Sequence, residues 1–252
     1  MRPVRGDRRA ADAALVLYAR VPRAGEVKTR LIPRLGAGGA LRLHLALLED
    51  SLRLLRAGAR DACARPFLAF SEPWEPERQA AFAPLAAEAT GLPRLPQSGD
   101  DLGERLSGTF RRLAQEGYRR IVVFGSDSPT LPVAVFPETF AALGGQADVV
   151  LGPTEDGGYY LVGSTRPVPP IFAGIPWSTP AVLEATLAAA RRAAARVVLL
   201  RRWYDIDAPE DLERLSAEPA GGGQAAAGAG RTRALARSLV RNGRLGRRRT
   251  RP

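Results

Sequence analysis

Arg120-Ile-Val-Val-Phe-Gly-Ser-Asp-Ser-Pro-Thr-Leu-Pro132 is the stretch whose reading decides the fold. Residues 121–124 are an unbroken apolar run rather than an alternating one. That is the pattern of a central parallel strand covered on both faces. The run ends in Gly125-Ser126 and then presents Asp127. Ligands in open α/β sheets bind at the carboxyl ends of such strands. An Asp placed there, on a loop stiffened by Pro129 and Pro132, suits a divalent metal held against a phosphate. Asp before Ser-Pro also commonly caps a turn or the next helix, and the stretch alone leaves both readings open.

Working outward, apolar runs and helical spacings alternate along the chain. Strands are expected over 15–19, 66–70, 92–96, 147–151, 159–163 and 196–200. Helices are expected over 41–56, 74–89, from Gly99-Asp100-Asp101 to about 116, over 132–143, from Thr179-Pro180 to about 192, and over 209–215. The alternation predicts a single doubly wound, mostly parallel α/β sheet. The domain is expected to span residues 13–216. Residues 1–12 read as a disordered basic leader. Residues 217–252 read as a disordered Ala/Gly/Arg-rich tail, with room for a short helix over 231–241.

Charge is unevenly placed. The formal net charge is +11 over 252 residues. Residues 219–252 hold nine Arg and no acid, and residues 1–12 hold four Arg and two Asp, so the segment between is neutral. A nucleic-acid role would therefore rest on the tail alone. Cys63 is the one cysteine, which excludes an intrachain disulfide, and its apolar-rich setting reads as a buried small side chain rather than a nucleophile. His44 is the one histidine and reads as a core or flanking residue. This inventory argues against zinc sites and against Cys-His or Ser-His-Asp catalysis. Any metal must be held by carboxylates, which favours Mg²⁺ or Mn²⁺. No run approaches the roughly 20 apolar residues of a membrane helix, and the expectation is a cytoplasmic protein without a membrane span.

Lys28 is the only lysine; the other 36 basic residues are arginines. A lysine retained in so Arg-rich a chain suggests a place for a compact ammonium rather than a planar fork. It lies in Gly25-Glu-Val-Lys-Thr-Arg30, after the first strand, where Lys28 and Arg30 would meet phosphates; a solvated basic loop is the plainer reading. Glu155-Asp156-Gly157-Gly158 leaves another strand end. The glycines permit close backbone approach to a ligand, and Asp156 could bind an acceptor or act as base. Asp-Gly is also a common hairpin signal. In Asp205-Ile-Asp207, Asp207 reads as a cap for the last helix. Asp205 is harder to explain that way, and would join Asp127 in an octahedral site completed by phosphate oxygens and water.

Six stretches in this order carry a resemblance: 22–31, 99–106, 125–132, 152–163, 176–180 and 205–212. Together they resemble a bacterial family of GT-A transferases often encoded beside radical-SAM and selenium-associated domains and commonly labelled arsenosugar-biosynthesis glycosyltransferases. The wider resemblance is to nucleotide-diphospho-sugar transferases and small nucleotidyltransferases, such as 2-phospholactate guanylyltransferase. It implies that Lys28 and Arg30 hold nucleotide phosphates, that Asp127 holds Mg²⁺ or Mn²⁺, and that Gly99, Leu102 and Gly103 line the nucleoside pocket. It further makes Asp205 a candidate second metal ligand. Two features depart from the wider pattern: the first loop lacks a Gly-x-Gly-x-x-Arg run, and Ser-Asp-Ser replaces Asp-x-Asp. The expected activity is transfer from a nucleotide or nucleotide-sugar donor to a small-molecule acceptor. Glycosyl transfer leads, nucleotidyl transfer with release of pyrophosphate is the alternative, and a non-catalytic nucleotide- or nucleic-acid-binding protein is the reading outside enzymes.

Overall fold

The apolar runs become the strands of one sheet. The computed structural model describes residues 12–74, 82–165, 167–218 and 229–242. The sheet has seven strands in the order β3-β2-β1-β4-β6-β5-β7. These are β1 (Ala13–Ala19), β2 (Arg65–Phe70), β3 (Arg94–Pro96), β4 (Arg120–Gly125), β5 (Val149–Pro153), β6 (Tyr159–Thr165) and β7 (Val197–Leu199). All neighbouring pairs are parallel except those made by β6, which runs antiparallel to both β4 and β5.

Both faces of the central strands are buried, which is why their sequences do not alternate in polarity. On β1, Leu15 and Leu17 join one apolar cluster with Val122 and Phe124 of β4. Ala14, Val16 and Tyr18 join the opposite cluster with Ile121 and Val123. Helices α1 (Ile32–Asp61) and α4 (Val135–Gly145) cover the first face. Helices α3 (Leu102–Gln115) and α5 (Val182–Arg192) cover the second. The remaining helices are α2 (Ala83–Ala89), α6 (Pro209–Ala217) and α7 (Gly230–Arg241). Truncating a fully buried leucine such as Leu15 to Ala would cost about 2–5 kcal/mol. Among the described residues no helix is long and apolar enough to cross a membrane.

The structure departs from the sequence reading in four places. Helix α1 begins nine residues before the periodic stretch at 41, and a non-helical Gly36 (φ 69°) marks the kink between its two parts. Cys63 is exposed, not buried, and stands with φ 50° in the turn that ends α1. Within the tail, the short helix allowed for over 231–241 forms as α7 (Gly230–Arg241), but it is packed on α1 and α6, with Thr232, Arg233, Ala236 and Leu239 buried, rather than set in a disordered segment. Asp12, placed in the leader, binds Arg120 at 2.7 Å. The rest of the leader, residues 219–228 and 243–252 of the tail, and residues 75–81 of the expected 74–89 helix lie outside the described residues.

Connections set where the site forms. From β1 the chain steps to β2 and β3 on one side, while β4 lies on the other side of β1. The strand order therefore reverses between β1 and β4. The crevice at the carboxyl ends there is the place where open α/β sheets bind ligands.

Candidate functional site

The loop after β1 and the loop after β4 meet across that crevice. Lys28 reaches over from the first and its Nζ donates to Asp127 Oδ1 of the second at 2.7 Å. The same ammonium donates to Asp207 Oδ1 at 2.6 Å and to the Ile206 carbonyl at 2.8 Å. These three bonds use all three ammonium protons.

The third wall is the segment 203–207. It is fastened along the Asp127 loop by Ile206 N–H donating to the Asp127 carbonyl at 2.9 Å and by Trp203 Nε1–H donating to Thr130 Oγ1 at 2.9 Å. The segment is not helical, and its side chains alternate. Tyr204 and Ile206 are buried in an apolar cluster with Leu31, Leu43 and Leu212. Asp205 and Asp207 consequently share the other side, facing Asp127 and Lys28. Ser128 Oγ donates to Asp205 Oδ1.

Beneath the crevice, Ser51 Oγ of α1 donates to the Ser126 carbonyl at 3.1 Å. His44 Nε2 lies 3.1 Å from the Arg20 carbonyl, and burial lowers its pKa. On the β2 side, the Gln97 amide bridges the Ala19 and Ala69 carbonyls at 3.3 and 2.7 Å, tying the ends of β1 and β2.

The electrostatics follow from these contacts. Desolvation works against the charge on Lys28, but Asp127 and Asp207 outweigh it and raise its pKa. Desolvation likewise works against charge on Asp127, and there the adjacent Lys28 ammonium prevails, holding the carboxyl below its usual range. Asp205 goes the other way. Burial, then the negative charge of Asp127, push its pKa up to about 7. Asp127 and Asp205 are neighbouring carboxyl groups whose negative charges disfavour each other, and oxygen donors of this kind suit a divalent cation. Among the described residues, no group of three His, Cys, Asp or Glu side chains is arranged to hold a metal by itself.

The residues expected to line the nucleoside pocket gather at the start of α3. Asp101 caps that helix through Glu104 N at 2.8 Å. Gly99 precedes it with φ 136°, a backbone state that favours glycine. Leu102 is exposed beside it. Gly103 is buried, and a Cβ there would stand 2.4 Å from the Phe172 carbonyl and 2.8 Å from Trp177 Nε1. Its lack of a side chain is explained by the close approach of the 172–177 loop.

Asp156, Gly157 and Gly158 form the β5–β6 hairpin, the plainer of their two sequence readings. The Asp156 carboxylate accepts from Thr154 Oγ1 at 2.5 Å and from Gly158 N–H at 3.2 Å, so it closes its own turn. Gly157 has φ 92° and lies so near Pro180 that a Cβ would be 2.1 Å from its carbonyl oxygen. None of these bonds links Asp156 to the Lys28 group. Arg30 is exposed on a short 3-10 turn, Thr29–Leu31, and has no ion-pair partner among the described residues.

Asp207 is the residue the sequence reading misplaced. Helix α6 is instead capped at Ala208, where Asp211 accepts from the N–H groups of Asp207 and Ala208 at 2.9 and 2.7 Å. The Tyr-Asp-Ile-Asp alternation was the available signal.

The family described as "Uncharacterized protein conserved in bacteria (DUF2064)" matches residues 54–179, which include Asp127 and the start of α3. No curated protein matches the sequence. A crystal structure from Desulfovibrio desulfuricans G20, provisionally named as a nucleotide-diphospho-sugar transferase, is 28% identical. It aligns over 93% of this chain and 97% of its own, with a TM-score of 0.79. A cytidylyltransferase from Leptospira borgpetersenii serovar Hardjo-bovis shares the fold at 12% identity. That alignment covers 96% and 99% of the two chains, with a TM-score of 0.51.

Proposed function

The chain belongs to the DUF2064 family, and we propose that it is a transferase that uses a nucleotide-activated donor with a divalent metal, most simply a glycosyltransferase acting on a small-molecule acceptor. The observation that carries this reading is the meeting of Lys28, Asp127, Asp205 and Asp207 at the point where the strand order reverses. The similarity to a protein named as a nucleotide-diphospho-sugar transferase supports the same class of donor.

In this reading Asp127 and Asp205 hold Mg²⁺ or Mn²⁺ together with donor phosphate oxygens, since the described residues supply no self-sufficient ligand set. The metal, when bound, supplies charge neutralisation at the diphosphate. Lys28 and exposed Arg30, both on the loop after β1, stabilise the negative charge that develops on the departing phosphate. The start of α3, from Gly99 through Leu102 and Gly103, takes the nucleoside. The Asp156-Gly157-Gly158 hairpin borders the acceptor side, where Asp156 serves as an acceptor contact or base once its turn bonds yield.

A thermal-shift screen of nucleoside triphosphates and nucleotide sugars, with and without Mn²⁺, tests this. A ligand present at about 100 times its Kd should stabilise the fold by about 2.7 kcal/mol. Stabilisation that needs Mn²⁺ is expected, and no shift with any nucleotide would defeat the proposal. Product analysis then distinguishes the chemistry. Free nucleoside diphosphate marks glycosyl transfer, and pyrophosphate marks nucleotidyl transfer. The basic tail is tested by truncation after Asn242, because removing residues from 219 onward would also remove α7 from the packed fold.

A further inference from the structure

Lys28 is held in a way that phosphate binding alone does not require. A lysine kept only for an incoming phosphate would leave its ammonium hydrated and facing the ligand. Here the side chain is 4% exposed, while the two carboxylates it binds are 44% and 36% exposed. The ammonium is thus the inner member of the cluster, and the carboxylates stand between it and solvent. Three oxygens surround it at 2.6–2.8 Å, two of them anionic. That is an all-oxygen cation site filled by the chain's own charge.

The backbone gives a second, independent observation. Lys28 has φ 48° and ψ 45°, the left-handed region, at a residue with a Cβ. The conformation costs roughly 1–2 kcal/mol relative to an ordinary helical residue. The loop therefore carries strain while the ammonium is tied down, and strain of this kind is retained only where surrounding contacts impose it.

We propose that Lys28 is a stand-in cation: in the ligand-free protein its ammonium occupies the charge position of the divalent metal against Asp127, and an arriving metal displaces it. Asp207 has a separate duty in this arrangement. It keeps hold of the displaced ammonium, which remains beside the site and is free to turn the proton released from Asp127 toward a donor phosphate. The inference rests on the metal reading above and adds to it a competition between two cations for one carboxylate. It follows that metal alone binds weakly, because it must break the Lys28–Asp127 pair. Metal and nucleotide together bind more tightly, because phosphate receives the released ammonium, and the coupling is reciprocal.

The test measures Mn²⁺ binding by electron paramagnetic resonance of the free ion, without nucleotide, on wild type, Lys28→Met and Asp127→Asn. Thermal melts confirm that each is folded. Lys28→Met should bind Mn²⁺ about tenfold more tightly than wild type, the effect of removing a competing interaction of about 1.4 kcal/mol. Equal or weaker binding by folded Lys28→Met overturns the stand-in role. If wild type still binds Mn²⁺ and Asp127→Asn does not, the metal reading survives that result. No Mn²⁺ binding to wild type, with or without nucleotide, overturns both.

Lys28→Met leaves two carboxylates without their ammonium, so a second measurement uses the native chain. Because Lys28 is the sole lysine, selective ¹³C-lysine labelling gives the side-chain signals of this one residue. The ε-methylene should relax as a rigid group in metal-free protein and move measurably faster, though still tethered to Asp207, at saturating Mg²⁺. A signal that stays rigid at saturation contradicts displacement even if Lys28→Met fails to fold.

Discussion

Asp50 and Asp127 are two satisfied carboxylates on opposite sides of the same short stretch of structure, and their partners differ in kind. Asp50, on α1, is fully buried and accepts from Thr232 N–H and Oγ1–H, each at 2.8 Å, and from Arg231 N–H at 3.3 Å. It caps the start of α7 from another element. Arg53 Nη1 completes the set at 3.1 Å. Burial pushes Asp50 up, and the Thr232 and Arg231 bonds oppose that push. Asp127 is half-exposed, and its ammonium partner holds it down instead. The next residue after Asp50, Ser51, bonds to Ser126, so the two regions are one residue removed from contact on each side. Backbone N–H groups cannot leave without undoing a helix. An ammonium on a flexible four-carbon stem can. The rear carboxylate is built for permanence and the front one for exchange.

The largest effect that would sharpen this contrast is on the rear. Asp50→Ala orphans the Thr232 and Arg231 donors and frees the start of α7. We expect a loss of about 2–3 kcal/mol, or about 5–10 °C in Tm for a chain of this size, with nucleotide affinity within about twofold of wild type. Calorimetry and titration together check it; a matching collapse of affinity would show that the regions are not separable. At the front, Gly103→Ala drives a methyl group into the Phe172 carbonyl and Trp177. Overpacking of this kind costs about 1–3 kcal/mol, read as a lower denaturant midpoint. An unchanged or raised midpoint would mean that the loop yields freely.

Asp207→Asn is expected to do the reverse of Asp50→Ala, leaving Tm within about 2 °C while weakening nucleotide binding about five- to tenfold, which is near 1 kcal/mol. Titration calorimetry measures it, and wild-type affinity would remove Asp207 from the site. The smallest effect sets the floor of the comparison. Asp148 meets Arg196 through two side-chain bonds of 2.9 and 3.0 Å and accepts from its backbone N–H as well. These bonds lower its pKa to about 2 from the ordinary 3.8. A lowered carboxyl pKa gives stability that is complete above about pH 4 and disappears as pH falls toward 2. Solvent screening keeps that contribution small. An Asp148→Asn variant should therefore match wild type in its denaturant midpoint at pH 2 and fall slightly below it at pH 6; an equal deficit at both would assign the difference to packing.

How much of this was legible depends on the range of the interaction. The apolar runs of β1 and β4 announced themselves because both faces of each strand are buried, a purely local consequence. Lys28 stood out by composition and Asp127 by its place after a strand. Asp207 reads as a helix cap because the last helix follows it directly, whereas its side-chain partner, Lys28, is 179 positions away. Asp50 reads as one more acid on an amphipathic helix, and its donors lie 182 positions on. Helix α7 is rich in arginine and weakly apolar, so its burial shows only once α1 and α6 are in place. The hairpin at Asp156-Gly157 was readable as a turn, and the structure shows the bonds that make it one.

Isothermal titration of a nucleoside diphosphate with Mn²⁺ into wild type and Asp127→Asn tests the central claim most directly. The account predicts Mn²⁺-dependent binding to wild type, weakened at least about 100-fold in the variant, a loss of about 2.7 kcal/mol, with little change in Tm. Equal Mn²⁺-dependent affinity in the two proteins would contradict it.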